Sequence, residues 1–197
     1  MTNHEIYVLR HGETEWNKAG RMQGALDSPL TEKGRRQAAD QGKILNRCNL
    51  TGFTWFSSPQ GRSIATAALA VPSVTPELDS RLAEISVGDW DGADRAEMQK
   101  AAPHVFELDA ELEWYDHAPG GEGFDALETR CRSFLNDLSG PAVIFTHGIT
   151  SRFLRCLAQG LPIEAFSDVD GGQGIIYRIL DGKQTKLTLQ AGSDFGN

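Results

Sequence analysis

Residues Ala142–Gln159 read AVIFTHGITSRFLRCLAQ. The opening Ala-Val-Ile-Phe is a short unbroken apolar run, the pattern of a strand covered on both faces. From about Thr150 to Gln159 the apolar positions recur at helical spacing instead. A buried strand leading into a helix is the repeating unit of a parallel sheet, and the chain uses it several times. Ile6–Leu9 (IYVL) is a first strand. Thr31 is placed to cap a helix running to about Asn46. Phe53–Phe56 (FTWF) is a second strand, followed by a helix over Gly61–Ala70. Glu122–Leu138 is an amphipathic helix with Phe124, Leu127, Cys131, Phe134, Leu135 and Leu138 on one face. Two tail strands, Ile175–Leu180 and about Lys186–Leu189, are joined by the Asp181-Gly182 turn. The pattern predicts α/β architecture around a largely parallel sheet.

The 197 residues include 19 Lys+Arg against 27 Asp+Glu, a formal net charge of −8. That excess of acid opposes non-specific binding to nucleic acid or to an anionic membrane. A small phosphorylated ligand stays compatible with it, because a local basic cluster can outweigh the global sign. No apolar run has the length of a membrane span, and MTNHEIYVLR lacks a signal-peptide layout. Cys48, Cys131 and Cys156 are widely spaced with no CxxC pair, which fits a reduced, cytoplasmic protein. One domain over residues 1–197 is expected, with a less regular insertion at about 86–119 that holds Trp90, Trp114, Tyr115 and His117.

The GxxxxGK[ST] loop, GxGxxG, GxSxG, HExxH and CxxC patterns are all missing from the sequence, so several common chemistries lack support. What the chain does have is cationic groups at strand ends. Arg10-His11 ends the first strand, Arg62 follows the second, and His147 closes AVIFT. In open α/β sheets ligands bind outside the carboxyl ends of the strands. Two arginines and two histidines gathered there need a counter-anion, and a phosphoryl group fits.

These residues also carry a resemblance. LRHGETEWN (Leu9–Asn17) is similar to the signature of the histidine phosphatase superfamily, the phosphoglycerate-mutase-like proteins. QGALDSPLTEKGRRQA (Gln23–Ala38), SSPQGRSIATA (Ser57–Ala67), LAEISVGDWDG (Leu82–Gly92), PGGEGF (Pro119–Phe124) and THGITSR (Thr146–Arg152) resemble that family's later segments in order. The resemblance implies a three-layer αβα sandwich and a phosphatase-type member acting on a small phosphorylated metabolite, with no cofactor and no metal.

It implies roles as well. His11 would be the nucleophile, its tautomer fixed by the Gly12 carbonyl. Arg10, Arg62 and His147 would hold the phosphoryl oxygens. Asn17, Gln23, Gly24 and Gly148 would complete substrate binding. Glu84 would protonate the leaving oxygen and then activate water, with Trp90 expected close enough to favour the neutral acid by burial. Gln60 and Ser63 depart from the leucine and alanine usual in the family. Gly123 and the GGQG loop (Gly171–Gly174) also depart from it. Two alternatives stay open: a phosphoglycerate mutase on the same scaffold, and a catalytically weak module that only recognises phosphate. Trp114, Tyr115 and His117 could line the pocket or serve packing. No nucleic-acid or membrane partner is implied, and the oligomeric state is left open.

Overall fold

A computed structural model describes residues 4–107 and 112–189. Its elements in chain order are β1 (Ile6–Arg10), α1 (Glu15–Ala19), α2 (Glu32–Leu45), β2 (Thr54–Ser57), α3 (Gly61–Ala70) and β3 (Glu77–Leu78), then α4 (Arg95–Ala101) and α5 (Pro103–Phe106). They continue with α6 (Phe124–Asp137), β4 (Ala142–Thr146), α7 (Gly148–Gln159), β5 (Ile176–Leu180) and β6 (Lys183–Leu187). The strands form one sheet in the order β3-β2-β4-β1-β5-β6. β1, β2, β3 and β4 run parallel, while β5 and β6 are antiparallel additions at the β1 side. The expected mostly parallel α/β sheet is what the chain builds.

The two-residue period of the strands explains the layers. Ile6 and Val8 of β1 and Ala142 and Ile144 of β4 face one core, shared with Leu127, Phe134 and Phe153 of α6 and α7. Tyr7, Leu9, Val143 and Phe145 alternate to the other core, shared with Ile44, Leu45, Ala67 and Ala70 of α2 and α3. Because β1 and β4 are buried on both faces, they read as continuous apolar runs. A third cluster, built on Val87, Met98, Trp114 and Ala118 with Trp90 and Phe106, organises the irregular stretch after Ser86; residues 108–111 of that stretch lie outside the described residues. Among the described residues no helix is long and apolar enough to cross a membrane.

Several boundaries differ from the expectation for local reasons. The α7 helix begins at Gly148, two residues before Thr150, because His147 takes the extended N-cap conformation. β6 begins at Lys183, not Lys186: Asp181 and Gly182 both have positive φ, so a two-residue turn pairs Leu180 with Lys183. The short helix α1 goes unannounced by apolar periodicity, since none of its residues is buried. A capping box between Thr14 and Asn17 defines it instead.

The feature that positions the site is a backbone crossing. The first turn of α2 packs so tightly on the chain after β1 that a Cβ on Gly12 would stand 2.3 Å from the Gly34 oxygen, and one on Gly34 would stand 2.0 Å from the Glu13 oxygen. The Gly12 N–H is also held by Thr66 Oγ1 at 3.0 Å. Gly34→Ala forces the two backbones apart, and overpacking of this kind costs about 1–3 kcal/mol. A lowered midpoint in denaturant unfolding, with activity lost in the protein that remains folded, is the expected result. A variant with unchanged stability and turnover would show that the crossing does not set the position of His11.

Candidate active site

The carboxyl ends of β1 and β4 place His11 and His147 side by side, their ring centroids 5.2 Å apart. The His11 N–H donates to the Thr146 oxygen at 3.0 Å, so the sheet ladder continues into the site itself. His11 Nδ1 lies 2.7 Å from the Gly12 oxygen. A carbonyl only accepts, so Nδ1 carries the proton and Nε2 keeps its lone pair. Burial, then the charges of Arg10 and Arg62, hold the His11 pKa well below the usual histidine value, against the opposing Gly12 bond. His11 is therefore a neutral imidazole in a cationic setting. His147, fully buried, is held low by burial and then by Arg62, His11 and Arg10. Its Nε2 is 2.7 Å from Ser58 Oγ, and its Nδ1 has no partner.

Arg62 comes from the first turn of α3 and is 2% exposed. Its Nη1 donates to the Leu26 oxygen at 2.6 Å and to Asp27 Oδ1 at 3.1 Å, and its Nη2 donates to the Gly24 oxygen at 3.0 Å. Asp27 also accepts from the Arg62 backbone N–H, capping α3 from a separate loop. Arg62 Nε is left without a partner, as is Arg10 Nε. Of the five buried side-chain atoms without partners among the described residues, three thus belong to Arg10, Arg62 and His147. Buried donors left unmade are costly, and an anion would satisfy them.

Glu84 is half-buried and stands at the N-terminus of α7. Its carboxylate accepts from Gly148 N at 2.8 Å, Ile149 N at 3.3 Å, and both Thr150 N and Oγ1 at 3.1 Å. The helix dipole adds to this hold. Burial of Arg62 lowers its pKa, and the Glu84 charge is the first influence opposing that; carboxylate and guanidinium therefore share one field. Trp90 is engaged elsewhere, stacked on Phe106 at 5.7 Å and tilted to Trp114 at 6.2 Å. The Glu84 carboxylate thus faces the N–H groups of α7, the Ile85 N–H and the Thr150 hydroxyl, not an apolar wall.

The remaining sequence candidates fall around this core. Asn17 Oδ1 accepts from Thr14 N at 3.2 Å and from Gln173 Nε2 at 3.0 Å, which leaves its amide N–H groups for other partners. Gln23 is buried, with Oε1 accepting from Ser28 Oγ. Gly24 has φ +47°, which a side chain would strain, and passes close to the Asp91 carboxylate; its carbonyl serves Arg62. Gly148 lies against the Arg10 guanidinium, where a Cβ would stand 3.3 Å from Cζ, and its N–H is committed to Glu84. Trp114 is buried and stacked on Tyr115 at 3.8 Å, while His117 is exposed. Ser58, Asp27 and Gln173 are site neighbours that the sequence did not single out. Short polar residues at strand ends and in glycine-rich loops carry no periodic signal.

The two low-pKa histidines fix a pH dependence. They are neutral in the fold and protonate normally once unfolded, so the unfolded chain binds more protons below about pH 6.5. Stability fully present above that value is lost as the pH falls, by up to about 1.4 kcal/mol per pH unit for each histidine. Denaturant unfolding at about pH 7 and about pH 5.5 should show this loss, and a His11→Gln/His147→Gln double variant should show a shallower one. An equally steep loss in the double variant would assign the effect to other groups.

Known proteins resemble the chain in sequence and in fold. The family model described as "Histidine phosphatase superfamily (branch 1)" matches residues 6–191. A glucosyl-3-phosphoglycerate phosphatase from Mycolicibacterium vanbaalenii is 33% identical over 192 residues, covering 88% of this chain and 82% of its own. A probable phosphoglycerate mutase from Proteus mirabilis is 33% identical over 172 residues, covering 82% and 77%. The solved structure of a mycobacterial glucosyl-3-phosphoglycerate phosphatase in complex with VO3 superposes with a TM-score of 0.76 at 28% identity, covering 89% of this chain and 92% of that one. The chain belongs to the histidine phosphatase superfamily, branch 1.

Proposed function

We propose that the protein hydrolyses a small phosphomonoester through a phosphohistidine on His11. The observation that carries this reading is the tautomer: Nδ1–H is tied to Gly12, so the free lone pair of a neutral imidazole is Nε2. In the first step Nε2 bonds to phosphorus as the P–O bond to the alcohol breaks, and Glu84 in its acid form protonates the departing oxygen. In the second, Glu84 as carboxylate takes a proton from water, whose oxygen displaces the imidazole and yields inorganic phosphate. The contacts of the Glu84 carboxylate are all those of an acceptor, the ionised form from which that second step starts.

Arg62 supports the transferring group through the donors that its loop does not use. Nη1 is fully engaged and Nη2 half engaged, which leaves Nε–H and one Nη2–H, the side-on edge that pairs bidentately with phosphate. If Ser58 donates to His147 Nε2, then Nδ1–H is a further donor. Two guanidinium groups thus supply positive charge where the negative charge of the phosphoryl oxygens is spread in the transition state. Asn17, its oxygen held by Thr14 and Gln173, would add an amide donor.

Hydrolysis is favoured over mutase chemistry by the stretch Ala96–Gly121, which has six Asp or Glu residues and one lysine. So acidic a stretch offers poor purchase to a carboxylate-bearing phosphoester that must be retained between two transfers. A cytoplasmic location belongs to the same proposal, supported by three free cysteines among the described residues.

Rapid quench with labelled substrate should trap label on His11 that is acid-labile and base-stable, with turnover retained in chelator. Label on another residue, or turnover abolished by chelator and restored by a divalent metal, would refute the route. Glu84→Gln should slow the burst of His11 phosphorylation by alkyl phosphates by about 10²–10⁴-fold. It should affect p-nitrophenyl phosphate far less, because nitrophenolate departs nearly unaided. Equal losses on both substrates would show that Glu84 supports the pocket without delivering a proton.

A further inference from the structure

Gln60 is the N-cap residue of α3, yet its side chain makes no cap hydrogen bond. Asp27 has taken that duty by accepting from the Arg62 N–H, which releases the Gln60 amide to reach across the site. Its Nε2 donates to the Gly24 oxygen at 2.8 Å, and its Oε1 accepts from the Glu84 N–H at 2.8 Å. The partners settle the orientation of the amide, since one is a carbonyl and the other an N–H. The same Gly24 oxygen receives Arg62 Nη2. One half-buried side chain therefore joins the peptide of Glu84 to the carbonyl that holds Arg62.

We infer that Gln60 is a positioning residue that sets Glu84 against the phosphoryl site, by bridging the Glu84 main chain to the Gly24 carbonyl beside Arg62. The inference rests on the reading of Glu84 as the proton donor. Glu84 is held at two ends. Its carboxylate is fixed by the first turn of α7, and its backbone N–H by Gln60. Loss of the second hold lets the backbone of Glu84 move relative to Arg62 while the carboxylate stays with α7. Small displacements of a catalytic group reduce rate steeply, and the step affected is the one that needs the proton. A leucine at position 60 offers neither donor nor acceptor, and glutamate offers only the acceptor, so the bridge requires the amide.

Gln60→Met keeps the length and removes both hydrogen bonds; Gln60→Leu removes them in a shorter, branched side chain. In pre-steady-state bursts both should phosphorylate His11 about tenfold more slowly with an alkyl phosphate, the equivalent of about 1.4 kcal/mol. With p-nitrophenyl phosphate the loss should stay below about twofold, and inhibition by vanadate should be unchanged. A merely structural residue would lower both bursts together or weaken vanadate. Either outcome, or no loss on either substrate, overturns the inference. Glu84→Gln assayed in parallel separates the two ideas. Leaving-group selectivity in Glu84→Gln but not in the Gln60 variants overturns the role of Gln60 alone. Selectivity in neither overturns the proton-donor reading together with the inference that rests on it.

Discussion

Arg10, Arg62, His11 and His147 gather at the carboxyl ends of β1 and β4, with little protein negative charge set against them. Arg62 and His147 are buried outright, and taking a guanidinium out of water is expensive unless its donors are met. The chain meets part of that cost with backbone oxygens. Gly24 and Leu26 turn their carbonyls onto Arg62, and Asp27 adds a carboxylate in direct contact. Much of the surrounding architecture follows from that need. Gly24 takes a positive φ, which a side chain would strain, and passes close to the Asp91 carboxylate. The two histidines are driven to neutrality by burial first and then by the fixed positive charge around them. The same electrostatic arrangement that would bind a phosphoryl dianion therefore keeps the imidazole lone pair available for attack.

The rigid frame was legible in the sequence wherever burial was two-sided. AVIFT and IYVL are read correctly because the helical layers α2/α3 and α6/α7 cover both faces of the sheet, leaving apolar runs without alternation. Thr31 caps α2 as its type suggests, accepting from Gly34 N at 3.0 Å. The failures share another cause. β3 is two exposed residues on the sheet edge, and α1 has no buried face, so neither leaves a periodic trace. β6 is set by the geometry of the Asp181-Gly182 turn more than by its own composition, which is largely polar.

The site was legible in part, and the division is physical. His11, His147, Arg10 and Arg62 lie at or just past strand ends, so locating the strands locates them. Their partners lie in loops, where hydrogen bonds between residues distant in sequence decide the arrangement. Gln173 reaches Asn17 across 156 positions, and Gln60 reaches Gly24 across 36. Trp90 illustrates the opposite error. An aromatic residue six positions after Glu84 suggests a hydrophobic wall, but Trp90 joins Phe106 and Trp114 in a separate cluster.

The placement of Glu84 has a consequence for how the anion must be held. A helix N-terminus at the end of a strand is a ready site for phosphate, and α7 begins right after His147. Here the first-turn N–H groups of Gly148, Ile149 and Thr150 already serve a carboxylate from the same chain. Phosphate cannot take those donors without displacing Glu84. The negative charge of a substrate must then be met chiefly by side chains, and those at the site left with a nitrogen without a partner are Arg10, Arg62 and His147. Assigning the helix to the carboxylate and the arginines to the phosphoryl group separates the proton-handling half of the site from the charge-binding half. Gly24 and Gln60 lie where the two halves meet.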